Sequence, residues 1–393
     1  MQVTVKLSRI LVVCLTALMV WSGCTSDPDP VKPTPQPDPE IPDGKPEELS
    51  YIFQVGDYGY NCFRIPAIVK SKDGTLLAFA EARKNNCSDE DNIDLVLKRS
   101  TDGGKSWSNL IMVWDDKDNT CGNPAPVVDA ETGRIHVLMS WNLGSDKIGT
   151  INNGTSQDTR RVYYTYSDDD GKHWQMAQEI TATVKRPAWG WYATGPGHGL
   201  QLSKGNYKNR LIIPCDYIEV GTGRRGFSHV IYSDDNGANW QLGGISPVHK
   251  NNPNESTAAE LSDGRVMLNM RNGSNNRLVS ISNDGGLNFP SIATEYALID
   301  PSCQGSLLST VIQQQHTLFF CNAASTQREN LTIKMSTTDG QSWNKRYTVY
   351  SGPAAYSDIV LLNEKEISVL YEAGKSRPYE GIAFKTVQLV DFK

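Results

Sequence analysis

Histidine, long apolar runs and helical periodicity are all scarce in this chain, and each scarcity excludes something. The six histidines are scattered, and none falls in a His-Glu-x-x-His pair. That argues against a zinc-hydrolase centre and predicts no catalytic metal; calcium held between loops is left open. Basic residues are outnumbered, 38 Lys and Arg against 44 Asp and Glu, for a formal charge of −6. Nucleic acid is therefore not the expected partner, because phosphate binding wants a basic surface. Only Ile10–Trp21 forms a long apolar run, and it is too short to span a bilayer comfortably. A multi-span membrane protein is excluded. No stretch of 3.6-residue periodicity exceeds two turns, which argues against a helical fold. Disorder is excluded by 38% hydrophobic content arranged in regular short runs. Gly221-Thr-Gly-Arg-Arg-Gly226 matches a Gly-x-Gly-x-x-Gly pattern, but no helix signal follows it. It argues for no dinucleotide site, and no cofactor is expected.

What is present begins with a leader. Lys6 and Arg9 precede the apolar run, and Ser22-Gly23-Cys24 follows it. This resembles a bacterial lipoprotein cleavage box, although Trp21 stands where Leu is preferred; ordinary signal cleavage nearby is the alternative. The resemblance implies a signal peptide over residues 1–23, lipid on Cys24 and a mature formal charge of −8. Residues 24–48 are rich in Pro and acids, cannot bury a core and read as an extended tether. The expectation is export, with membrane anchoring at the cell surface or in the periplasm of a Gram-negative bacterium.

From residue 49 to residue 393 the chain reads as strands, and internal repeats decide the architecture. Ser100-Thr-Asp-Gly-Gly-Lys-Ser-Trp107 recurs from Ser167, Ser233, Ser282 and Ser336, at spacings of 67, 66, 49 and 54 residues. The shared pattern is Ser-x-Asp-x-Gly-x-x-Trp, the Asp-box, with Phe289 replacing Trp in the fourth copy and Thr338 replacing Asp in the fifth. The carboxylate is expected to cap turn amides, Gly to adopt a left-handed conformation, and the aromatic to pack the turn onto its own sheet. A blade with its loops takes roughly 40–60 residues, so this span predicts one all-β domain, a six-bladed β-propeller. Its last blade would be closed by pairing Tyr51–Val55 with Ile382–Val390.

The segment Cys62-Phe63-Arg64-Ile65-Pro66 ahead of five Asp-boxes resembles the signature of sialidases (neuraminidases), in particular their bacterial branch, over residues 51–393. The resemblance implies that Arg64 is the first of three arginines binding a substrate carboxylate, a task that suits the planar, always charged guanidinium. Arg271 is the second, with Arg277 competing; Arg328 is the third. Glu255 is the expected partner of the nucleophile, with Glu260 competing. Tyr356 is the implied nucleophile, and Glu372, sixteen residues on, would hold Arg64. A neutral phenol avoids the repulsion that an anionic nucleophile would meet from the carboxylate on the anomeric carbon. The general acid is expected at Asp89, with Asp91 competing, kept protonated or sharing its proton with water. Arg83 would contact the sugar or pair with Glu81 or Asp89. His198, in Thr194-Gly-Pro-Gly-His-Gly199, is read as part of a backbone turn.

The implied activity is exo-α-sialidase hydrolysis, with retention, of terminal sialic acids on glycoproteins, gangliosides and oligosaccharides. Transfer to galactose on a Trp189 or Trp191 platform, and an inactive sialic-acid-binding propeller, are the alternatives. Setting aside Cys14 and Cys24, six cysteines remain, which allow 15 full pairings.

Overall fold

Short apolar runs bounded by Gly, Asn and Asp form strands, among them Leu76–Arg83, Ile135–Asn142 and Leu211–Glu219. The computed structural model describes residue 1, residues 48–223 and residues 225–393. The leader, Cys24 and the tether through residue 47 lie outside the described residues. Within them the chain is all-β, with short α-helices at Ile148–Asn153 and Thr181–Val184. The strands form four sheets of eight, five, four and seven strands, mostly by antiparallel pairing of neighbours in sequence. A parallel contact of Ile93 with Thr120 joins two such runs inside the eight-stranded sheet. In the seven-stranded sheet, Tyr51–Gln54 pairs with Gly381–Gln388, with Tyr51 opposite Ala383. Gly221-Thr-Gly223 follows the strand Leu211–Glu219, and Gly226 opens its antiparallel partner, Gly226–Ser233.

Many strands are covered on both faces. Leu76–Arg83 is buried throughout, which explains a nearly continuous apolar run rather than an alternating one. The core lies between successive runs of strands. Leu77 and Phe79 pack with Val137 and Met139, and Ile212 and Val230 pack with Val266 and Leu268. Each such side chain contributes about 1.5–3 kcal/mol by leaving water.

The Asp-box turns show where the repeat pattern comes from. Ser100 Oγ accepts the Gly104 amide at 2.8 Å, and Asp102 accepts the Ser106 amide at 3.0 Å. The same bonds recur at Ser233–Gly237 and Asp235–Asn239. Thr338 still accepts the Ser342 amide, at 3.0 Å. The expected packing of the aromatic on its own sheet holds for Trp343, which meets Phe320, and the other rings reach further. Trp107 meets Phe384, Trp174 meets Phe79, and Trp240 meets His136 and Tyr164. The partners of Trp174 and Trp240 belong to the preceding run of strands, and that of Trp107 to the last strand of the chain, Gly381–Gln388. A ring projecting from a strand end reaches the neighbouring face more readily than the plane its own backbone occupies. The repeat is thus a clamp between sheets as well as a turn.

Gly103 and Gly104 both adopt positive φ, 74° and 89°. A Cβ on Gly104 would overlap the Phe384 ring, whereas one on Gly103 would meet nothing within 4 Å. Both alanine variants lose the glycine backbone freedom, but only Gly104→Ala overpacks the clamp. We expect Gly104→Ala to cost about 1–3 kcal/mol more than Gly103→Ala in urea denaturation. Equal losses would show that the backbone angle alone decides.

Candidate active site

Arg64 lies on the strand Cys62–Lys70, where the register slips between Arg64 and Ala67. Ile65 takes φ 59° there, an outlier for a β-branched residue. This bulge breaks the pairing and accounts for the Arg-Ile-Pro sequence, since Pro66 has no amide to leave unpaired. The carboxylate of Glu372, fully buried on Glu366–Ala373, holds the bulge. It accepts Arg64 Nε at 3.0 Å and Nη2 at 3.2 Å, the Ile65 amide at 2.9 Å and the Tyr356 amide at 3.2 Å.

A second bulge repeats this device. On Thr120–Val128 the register slips between Gly122 and Ala125, and Asn123, followed by Pro124, takes φ 53°. Its amide is accepted at 2.7 Å by Glu81. Glu81 and Arg83 sit two apart on one strand and therefore point the same way. Arg83 donates twice to Glu81, at 3.0 and 2.6 Å, and its Nη2 lies 2.9 Å from Asp89. Both charge partners anticipated for Arg83 are thus present.

The hairpin of Ser256–Glu260 with Val266–Met270 supplies Glu255 and Arg271, which flank it and bond through the Arg271 amide and the Glu255 carbonyl. Tyr356 lies within the long strand Lys345–Asn363, at a register slip between Ala354 and Ser357. Its hydroxyl is 2.7 and 2.9 Å from the two Glu255 oxygens and accepts Arg271 Nη1 at 2.8 Å. Arg64 lies over the Tyr356 ring at 4.9 Å and Arg328 at 5.6 Å. One phenol is therefore ringed by three guanidinium groups. Burial pushes its pKa well above the usual value, and Glu255 adds to this against the opposing pull of Arg271 and Arg64. Burial thus favours the neutral phenol.

These groups line a cavity of about 510 Å³ together with Asp89 and Arg160. Asp89 is on the loop after Arg83, tied by a Cys62–Cys87 disulfide to the strand that carries Arg64. Four further cysteines, Cys121, Cys215, Cys303 and Cys321, are buried and free. Desolvation by the cavity wall opposes the Asp89 charge, but Arg83 and Arg64 outweigh it and hold the carboxyl below its usual range. Where a protonated or proton-sharing Asp89 is expected, the contacts of Arg83 and Arg64 favour its anion.

The competing residues fall elsewhere. Arg277 is fully buried against Asp300 and Asn269. Glu260 accepts the amides of Ser203 and Lys204. Asp91 faces Asn85 and Asn86 in its own loop. His198 is pinned beneath the site by Asp358 at 2.6 Å. Trp189 stacks on Tyr217 at 3.6 Å and is buried, so it is no acceptor platform; Trp191 lines the cavity over Arg160 at 3.7 Å.

Sequence reasoning missed several wall residues. Arg160 is buried, bonded to the Tyr192 carbonyl and to Asn142 and Asn123; burial lowers its pKa to about 10, so it stays cationic. Asp216 is buried, and burial followed by Glu255 raises its pKa well above the usual value. A lone acid in the apolar run Leu211-Ile-Ile-Pro-Cys-Asp-Tyr-Ile218 was a readable signal.

A family model for the BNR repeat-like domain matches residues 74–369. A sialidase of Bacteroides fragilis (strain YCH46) is 30% identical over 86% of this chain and 64% of its own length. An exo-alpha-sialidase of Arthroderma benhamiae is 32% identical over 80% of this chain and 79% of its own. The solved structure of Hadza microbial sialidase Hz136 superposes with a TM-score of 0.77 at 26% identity, over 87% of this chain and 69% of that one. Strand architecture, repeats and the arginine-ringed phenol therefore define a glycosidase-like site on an all-β scaffold. The chain belongs to the sialidase family. It spans just under two thirds of the Bacteroides relative's length.

Glu372 is the most heavily used of these acids. Glu372→Ala strands Arg64 and two amides in a buried place, and we expect it to cost about 3–5 kcal/mol. Denaturant titration of the purified protein measures this directly.

Proposed function

We propose that the protein is an exo-α-sialidase, hydrolysing terminal α-linked sialic acids of glycoproteins, glycolipids and oligosaccharides with retention at the anomeric carbon. The observation that carries this reading is the contact of Tyr356 with Glu255 inside the ring formed by Arg64, Arg271 and Arg328. The three arginines take the substrate carboxylate, which seats the anomeric carbon against the phenol oxygen. Asp89 gives its proton to the glycosidic oxygen as that bond breaks. The Tyr356 oxygen bonds to the anomeric carbon, and its proton passes to Glu255. In the second step Asp89 takes a proton from water, the water oxygen attacks the same carbon, and Tyr356 leaves with the proton from Glu255. Two displacements restore the starting configuration. Arg83 holds Asp89 and reaches the sugar hydroxyls. By engaging Arg64 the anionic substrate weakens the pairing that favours the Asp89 anion.

The scaffold in this reading is a six-bladed β-propeller over residues 49–393. The eight-stranded sheet supplies two blades, the five- and four-stranded sheets one each. The seven-stranded sheet supplies two, because Lys345–Asn363 serves first Glu329–Ser336 and then Glu366–Ala373. Export and a lipid on Cys24 rest on the leader alone and place the enzyme on a membrane by residues 24–48.

A proton NMR time course on an α-sialyllactose tests the whole. We expect the α-anomer of free sialic acid to appear first; direct release of the β-anomer, or a new sialoside in place of free acid, would sink hydrolysis with retention. Tyr356→Phe should change stability by only about 1 kcal/mol, while turnover falls by orders of magnitude and a fluorinated sialoside no longer labels the protein. Activity within a few-fold of wild type would remove Tyr356 from the chemistry.

A pH profile isolates Asp89. The profile of kcat/KM reports the free enzyme, in which Asp89 is held low and must be protonated to act. The rate constant should therefore fall as pH rises through the Asp89 titration, which lies below the usual carboxylate range. Arg83→Met removes a cation that favours the anion, so this limb should move to higher pH. A limb that stays in place would assign it to another group.

A further inference from the structure

The three arginines are not partnered alike. Arg64 has the Glu372 and Asp89 carboxylates, and Arg271 has Glu255. Arg328 has no ion pair among the described residues. Its Nη1 donates to the Tyr379 hydroxyl at 2.6 Å and its Nη2 to the Ser302 carbonyl at 3.4 Å. The ring of the same Tyr379 lies under the Arg64 guanidinium, 4.5 Å from its carbon. One half-buried side chain therefore spans two of the three cations.

The turn that delivers it is held from within. Residues 374–380 join Glu366–Ala373 to Gly381–Gln388. Glu380 accepts the Lys375 amide at 2.9 Å, the Ser376 amide at 3.0 Å and the Ser376 hydroxyl at 2.7 Å. A Cβ on Gly374 would overlap the Arg377 carbonyl. Nothing in this packing requires a phenol at the tip rather than another apolar ring.

We infer that Tyr379 is a positioning residue for recognition of the substrate carboxylate, fixing Arg64 and Arg328 relative to each other. This rests on the sialidase reading above. The chemistry explains the choice of residue. An acid in this place would orient Arg328 equally well but would cancel the charge that must meet the substrate. A phenol accepts the hydrogen bond without carrying charge, and its π face steadies a second guanidinium. Arg328 thereby keeps its full charge for the ligand, while Arg64 and Arg271 are already balanced by carboxylates.

The experiment compares binding of sialic acid with binding of its uncharged methyl ester, by calorimetry or saturation-transfer NMR. Tyr379→Phe removes only the hydroxyl; Tyr379→Ala removes the ring contact too. Wild-type protein should prefer the acid. Tyr379→Phe should weaken acid binding about tenfold, the scale of one hydrogen bond to a charged group. It should leave ester binding within about twofold, with a melting temperature close to wild type. Tyr379→Ala should lose more of the preference. A purely structural role would weaken both ligands together. An unchanged acid-over-ester preference in Tyr379→Phe and Tyr379→Ala would overturn the inference alone. Wild-type protein binding acid and ester equally would overturn it together with the carboxylate reading of the three arginines.

Discussion

A single buried carboxylate organises the site. Glu372 accepts from the side chain of Arg64 and from the backbone of Ile65 and Tyr356, so it fixes an arginine, a bulge and a phenol at once. Its anion would be expensive in an apolar interior, and only the number of donors makes it tolerable. Those donors come from strands at opposite ends of the sequence. The position of the proposed nucleophile relative to the first arginine is thus set by one residue that never meets the cavity. Glu81 does the same for Arg83 and Asn123 on neighbouring strands. The two carboxylate-held bulges make the floor of the site a repeated structural unit, although Phe63-Arg-Ile-Pro66 and Cys121-Gly-Asn-Pro124 share only the proline.

Charge is distributed in a graded way around the phenol. Burial favours the protonated form of Tyr356, whose hydroxyl lies 2.7 Å from Glu255. Asp89 is the opposite case, a carboxylate at the mouth whose anion is favoured by Arg83 and Arg64. A negatively charged ligand that draws the same arginines relaxes the preference of Asp89 for its anion and reinforces that of Tyr356 for its neutral form.

Much of this was legible in the sequence, for physical reasons that can be named. The Asp-boxes were readable because a turn that needs Ser, Asp, Gly and an aromatic at fixed places leaves little freedom. Arg64, Arg271, Arg328, Tyr356 and Glu372 were singled out because their segments resemble sialidase motifs, and the contacts of Tyr356 with Glu255 and of Arg64 with Glu372 bring them together. The direction of packing was not, since a turn motif carries no mark of which sheet its Trp will meet. Nor was the disulfide, because six cysteines leave the pairing open until Cys62 and Cys87 are brought together. Arg160 escaped notice as one of two adjacent arginines, and Asp216 as one acid within a buried strand. Tyr379 carries no local signal, since its partners Arg64 and Arg328 lie far off in the chain.

The pairing of Tyr51–Gln54 with Gly381–Gln388 has a consequence for how the protein comes into being. Arg64 and Glu372 are 308 residues apart in sequence, so their contact is among the most non-local in the chain. Contacts of that kind close late, after the entropy of the intervening loop has been lost. During synthesis the first arginine emerges long before the acid and phenol that complete its surroundings. Until the last strands join the first, the growing chain holds a scattered set of arginines and carboxylates without the arrangement that ties them together. Completion of the site therefore waits on the late strands, which carry Tyr356 and Glu372.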